Sequence, residues 1–115
     1  MTIEILRTPA SREYVAQLAR DSFGDMVKGV VDVKRRVVAL GGELHSDAES
    51  VLLDDGSTQS DVWGINLYPD DAGESFIEFD SMINIRPSVN NRSRNVEDEN
   101  LRQRIREIVA ELIPE

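Results

Sequence analysis

His45 is the only imidazole in the chain, and carboxylates crowd it: Glu43 precedes it by two residues, Asp47 and Glu49 follow within four. Held extended, Glu43 and His45 project to the same side of the backbone, as chelating ligands do. An imidazole among carboxylates suits a divalent metal, or a general acid–base role near neutral pH. The same residues also read as scaffolding. Ser46 followed three residues later by Glu49 makes a capping box, and Asp47 is favourable at a helix N-terminus.

Two further polar sets carry possible chemistry. Glu78, Asp80, Asn84 and Arg86 alternate with Ile77, Phe79, Ile83 and Ile85, the pattern of a strand with one polar face. Alternate residues on such a face lie about 6.6 to 6.8 Å apart, close enough for one ligand to bridge them or for Asp80 and Arg86 to join an ion-pair network. Then comes Asn90-Asn91-Arg92-Ser93-Arg94-Asn95, directly before a helix. Guanidiniums, short polar side chains and free N–H groups are the materials of an anion site. Against that stand Glu97, Asp98 and Glu99, which Arg92 and Arg94 can neutralise internally. The candidates are thus His45, Glu43 and Asp80 for catalysis or metal, and Asn84, Arg86, Asn91, Arg92 and Arg94 for a small anionic ligand. Nothing in the sequence requires a cofactor.

These residues must be positioned by elements that the pattern of apolar residues predicts. After a short apolar start at Ile3 and Ile5, Thr8 and Pro9 open a helix carrying Val15, Leu18, Ala19 and Phe23, which Gly24 stops. Met26 to Leu40 reads as a hairpin turning at Lys34-Arg35-Arg36. A helix from Ser46 carries Ala48, Val51 and Leu52 to Gly56. Val62 to Tyr68 and Ser75 to Arg86 form a second hairpin, with Tyr68 near Ser75 and Val62 near Ser81, so that Met82 to Arg86 overrun the partner strand. Asn95 caps a last helix with an apolar stripe of Leu101, Ile105, Ile108, Val109 and Leu112. The expected fold is α+β in the order αββαββα, with a four-stranded, mainly antiparallel sheet and helices packed on one face. The other face is expected to be partly open. Val15, Leu18, Val31, Ile65, Phe79, Ile83, Ile105 and Ile108 are expected to share one core.

Composition narrows the function classes. At 115 residues, 40% of them hydrophobic and 30% charged, the chain fits one globular domain over residues 1–115. A net charge of -9 repels phosphate backbones, so nucleic acid is disfavoured. The chain has no cysteine, which removes disulfides, thiolate nucleophiles and Cys-based zinc sites. No apolar run approaches the ~20 residues of a membrane span, and the N-terminus lacks a signal-like core, so the expected location is cytoplasmic. The loops GxxxxGK[ST] and GxGxxG, and the motifs HExxH and GxSxG, are absent.

Phe23-Gly24-Asp25-Met26-Val27-Lys28, Gly41-Gly42-Glu43-Leu44-His45, Trp63-Gly64-Ile65-Asn66-Leu67-Tyr68-Pro69, Phe79-Asp80-Ser81-Met82-Ile83-Asn84-Ile85-Arg86-Pro87 and Asn91-Arg92-Ser93-Arg94 before Val96-Glu97-Asp98 run through nearly the whole chain. Taken together, they resemble a family of small bacterial and archaeal proteins catalogued only as a domain of unknown function. The resemblance implies a stand-alone prokaryotic cytosolic protein and supplies no catalytic residue, cofactor or partner. Two functions are therefore expected from the residues alone. The first is a small binding or interaction module that self-associates, most simply as a dimer. The alternative is a metal-assisted or acid–base hydrolase using His45 with nearby carboxylates.

Overall fold

The computed structural model describes residues 2–115. Five strands, β1 (Ile3–Leu6), β2 (Val27–Asp32), β3 (Val37–Gly41), β4 (Val62–Leu67) and β5 (Ile77–Glu78), form one antiparallel sheet in the order β1-β3-β2-β4-β5. Three α-helices accompany it: α1 (Arg12–Arg20), α2 (His45–Asp54) and α3 (Glu99–Leu112). The fold is α+β, with one strand more than the four expected. The addition is the apolar start: Ile3 and Ile5 face one side of the sheet as β1 pairs with β3, Ile3 opposite Gly41 and Ile5 opposite Ala39.

Helices cover both faces, which corrects the expectation of helices on one face. Val31, Val38, Leu40, Trp63, Ile65 and Leu67 pack against α1 and α3 through Val15, Ala19, Ile105 and Ile108. The alternate residues Val30, Val37, Ala39 and Val62 pack against Ala48 and Leu52 of α2. Central strands apolar on both faces cannot leave either to water. The expected single core is therefore two layers. Val15, Val31, Ile65, Ile105 and Ile108 are buried in the first, with Leu18 and Phe79 packed against it, while Ile83 packs on the second.

The helices start later or earlier than their sequence signals. Ser11, not Thr8, caps α1 by accepting from the Tyr14 N–H at 3.0 Å. Asp98, not Asn95, caps α3 by accepting from the Asn100 N–H. At α2 the helix already begins at His45, and the Asp47 carboxylate accepts the Leu44 N–H at 3.3 Å. Ser46 therefore lies inside the helix, exposed, and does not cap it.

The second hairpin departs most. Its return strand is only Ile77–Glu78, and Met82–Asn84 and Pro87–Val89 are short 3-10 turns. Leu67 pairs with Ile77 and Asn66 with Glu78, one residue away from the expected register, which puts Glu78 beside Asn66 instead of Ile65. Beyond Glu78 the chain leaves the ladder and crosses the sheet at Gly64. A Cβ built there would meet the Ser81 side chain at 2.5 Å, so only glycine admits the crossing.

Candidate functional site

Lys28 on β2, Asn66 on β4 and Glu78 on β5 lie opposite one another in register, making a polar row across one end of the sheet. Asn66 is buried at its centre. Its Nδ2 donates to Glu78 at 2.8 Å and to the Asp80 carbonyl at 3.2 Å, while its Oδ1 is buried with no partner. The Tyr68 hydroxyl donates to the same Glu78 carboxylate at 3.2 Å, and burial together with that negative charge raises its pKa. His45, the first residue of α2, turns its ring onto the sheet, and its Nε2 donates to the Ile65 carbonyl at 2.9 Å. Burial lowers the imidazole pKa; the carbonyl bond, Asn66 and Asp80 pull it up, and Lys28 pushes it further down. With its pKa below 6.5, the ring is neutral at pH 7. Asp80 completes the group through Arg94, 2.6 Å away, both side chains about half exposed.

Three sequence candidates, His45, Asp80 and Arg94, thus share one neighbourhood. Glu43 does not join it as a ligand. It sits exposed in the bend before α2, and because His45 is already helical, the extended spacing that would align the two side chains is absent. Among the described residues no three His, Cys, Asp or Glu side chains are arranged to hold a metal, so Glu43, His45 and Asp80 do not form a metal trio. Lys28, Asn66 and Tyr68 belong to the row and were not singled out from the sequence. The one-residue register difference hid them, since the expected pairing set Glu78 against an apolar neighbour.

Asn84 and Asn91 hold the loop together. Asn84 is fully buried: its Oδ1 accepts the Gly64 N–H at 2.8 Å, and its Nδ2 donates to the Gly64 and Arg94 carbonyls at 3.0 Å each. One side-chain amide thereby replaces the strand partner that β5 is too short to supply. Asn91 donates to the Asn84 and Asn95 carbonyls at 2.7 Å and accepts the Glu97 N–H at 2.9 Å. The N–H groups of Arg92 and Ser93, the expected anion cradle, are held by the Glu97 carboxylate at 3.0 and 2.8 Å. The Ser93 hydroxyl above all, then those two backbone bonds and the Arg92 charge, lower the Glu97 pKa against the opposing effect of burial. Arg92 itself is exposed.

Arg86 lies elsewhere, at the edge of β4 that β5 leaves open. It pairs with Glu49 of α2 at 3.3 Å, both side chains 12% exposed, and stacks over Trp63 at 4.7 Å from the ring centre. Around it the 3-10 turns present Met82, Ile85 and Val89, three of the five exposed large hydrophobic residues among the described ones. Val89 stands between two grooves. One, of about 460 Å³, runs along Met82, Ile85, Gln59 and Ser60; the other, of about 530 Å³, runs along Trp63, Asn90, Asp98 and Leu101.

Comparison with curated proteins and with solved structures finds no match. A family described as "Protein of unknown function (DUF5674)" matches residues 4–112. With all but the chain ends matched, and the polar row, the asparagine pair and the Val89 ridge all inside the matched span, the chain belongs to the DUF5674 family.

Proposed function

We propose that this protein is a small binding module that self-associates as a two-fold dimer through the face formed by Met82, Ile85 and Val89. The carrying observation is the concentration of exposed apolar side chains within one eight-residue stretch beside two grooves. Contiguous apolar surface of this kind marks interaction sites. A second copy of the chain is the occupant because a two-fold contact needs a self-complementary patch, and a Val89 ridge flanked by grooves supplies both halves. Arg86 at this face is neutralised by Glu49, while Glu97 and Asp98 line the second groove, so the association of two chains of net charge -9 is expected to strengthen with added salt. Cytoplasmic residence, a prokaryotic source and independence from nucleic acid belong to the same proposal, supported by the acidic balance and the absence of cysteine. No helix among the described residues is long and apolar enough to cross a membrane. Hydrogen–deuterium exchange at low and high protein concentration tests the interface. Slower exchange confined to residues 81–91 at high concentration is expected; protection of the β1 edge instead would relocate the contact and overturn this reading.

A second reading, binding or acid–base chemistry at the polar row, is favoured by one observation: the buried Asn66 Oδ1 has no partner. Buried acceptors are rarely left so, since each costs about 1–3 kcal/mol. A donor from a small polar ligand held by Lys28, His45, Asp80 and Arg94 would satisfy it. Thermal-shift titration with magnesium, zinc and inorganic phosphate tests the row, because a ligand of the folded state raises its melting temperature. A shift lost in Asp80→Asn supports this reading, and flat curves for every probe reject it.

A further inference from the structure

Between the start of α1, the turn Gly73–Phe76 and the last turns of α3 lies a cleft of about 320 Å³, separate from the face around Val89. Its walls are apolar, formed by Phe76, Val109, Ala110 and Ile113. Arg12 stands over it, with its guanidinium carbon 3.5 Å from the centre of the Phe76 ring. That guanidinium is poorly matched. Its Nη1 reaches the Asp71 carbonyl only at 3.4 Å, its Nη2 lies 3.6 Å from the Glu115 carboxylate, and its Nε is buried with no partner. Charge-assisted bonds of a well-seated guanidinium run about 2.7–2.9 Å, so Arg12 has unspent donor capacity. Arg106, also lining the cleft, is engaged 3.2 Å away by Glu99 and leaves Arg12 as the recognising cation. Glu74 stands at the rim, and the Glu115 side chain, 78% exposed, is the carboxylate a ligand would displace.

We propose that this cleft binds a small free carboxylic acid with an apolar body, its carboxylate on Arg12 and its chain against Phe76, Val109 and Ile113. The position of Glu115 already shows which charge Arg12 attracts. The volume sits at the small end of the roughly 300–1,000 Å³ typical of ligand pockets, which limits the acid to a short or medium chain. Amide NMR titrations with sodium octanoate, octanol and sodium acetate test the assignment. Octanoate is expected to perturb residues 73–77 and 109–113 and to bind at least about tenfold more tightly than octanol or acetate, since only it offers both charge and apolar body. Arg12→Gln should remove that advantage while leaving octanol unchanged. Ala110→Phe, at an exposed helix position that tolerates a large side chain, should fill the cleft and abolish binding of both, with the spectrum elsewhere reporting an intact fold. The proposal is overturned if octanoate and octanol bind the parent protein equally, if Ala110→Phe binds octanoate like the parent, or if no probe perturbs the cleft at about 10 mM, a concentration that would reveal even very weak binding.

Discussion

Single side chains do most of the unusual work in this fold, and their identities were easier to read than their duties. Asn84 stood out from the sequence as part of a polar strand face, and Asn91 and Arg94 as materials of an anion site. The structure spends the amides of both asparagines on backbone groups that lack a ladder partner. Their composition was legible; their consumption was not, because it depends on Gly64 admitting Ser81 to the sheet. His45 carries a prediction of its own. Burial lowers its pKa below 6.5, so between that value and the lower folded one the unfolded chain binds the extra proton. Its neutral ring therefore costs nothing above 6.5, and stability is lost as the pH falls below that value. Melting temperatures of the parent protein and of His45→Gln should converge near neutral pH in their pH slopes and diverge on acidification to about 5.5, the parent falling faster. Parallel slopes would show that His45 does not titrate with folding.

At the scale of elements, apolar period placed the first hairpin and the last helix but not the return strand. The first hairpin and the last helix lie where alternation and the stripe of Ile105, Ile108, Val109 and Leu112 put them. The starts of α1 and α3 slipped by three residues because several cap formers precede each of them, and tertiary packing chooses among them. The β1 strand was missed because four residues give too little period to read. The return strand was overread for the opposite reason: Ile77 to Arg86 alternates well, yet Ser81 and Asn84 prefer to bond backbone and pull the chain into turns. The covered second face makes the most direct element-scale prediction. Leu52 of α2 is fully buried in the second layer, so Leu52→Ala should cost about 2–5 kcal/mol in urea unfolding. A loss of only about 0.5 kcal/mol, ordinary for a surface site, would mean that α2 does not seal this face.

For the molecule as a whole, the two apolar layers use nearly every large hydrophobic residue, and what they leave outside is concentrated around Val89. The asparagine pair is closed by internal bonds, whereas the polar row and the Arg86–Glu49 pair each leave one buried atom, Asn66 Oδ1 and Arg86 Nη1, without a partner. The proposed dimer rests on this open face and on its three exposed apolar side chains, Met82, Ile85 and Val89. From the sequence, self-association rested on the small core, the Met82 to Arg86 overrun and the apolar last helix; the overrun is a set of turns and the stripe of the last helix is buried within the chain, so the exposed residues that carry the proposal lie where no periodicity encodes their orientation. Sedimentation velocity across micromolar concentrations decides the matter. The parent chain of 12.9 kDa is expected to sediment as a species of about twice that mass, and Val89→Glu, which puts a charge on the ridge that would enter the partner's groove, as the single chain with its fold intact. A parent protein that sediments as a monomer throughout, or a Val89→Glu variant that dimerises as the parent does, would contradict the account.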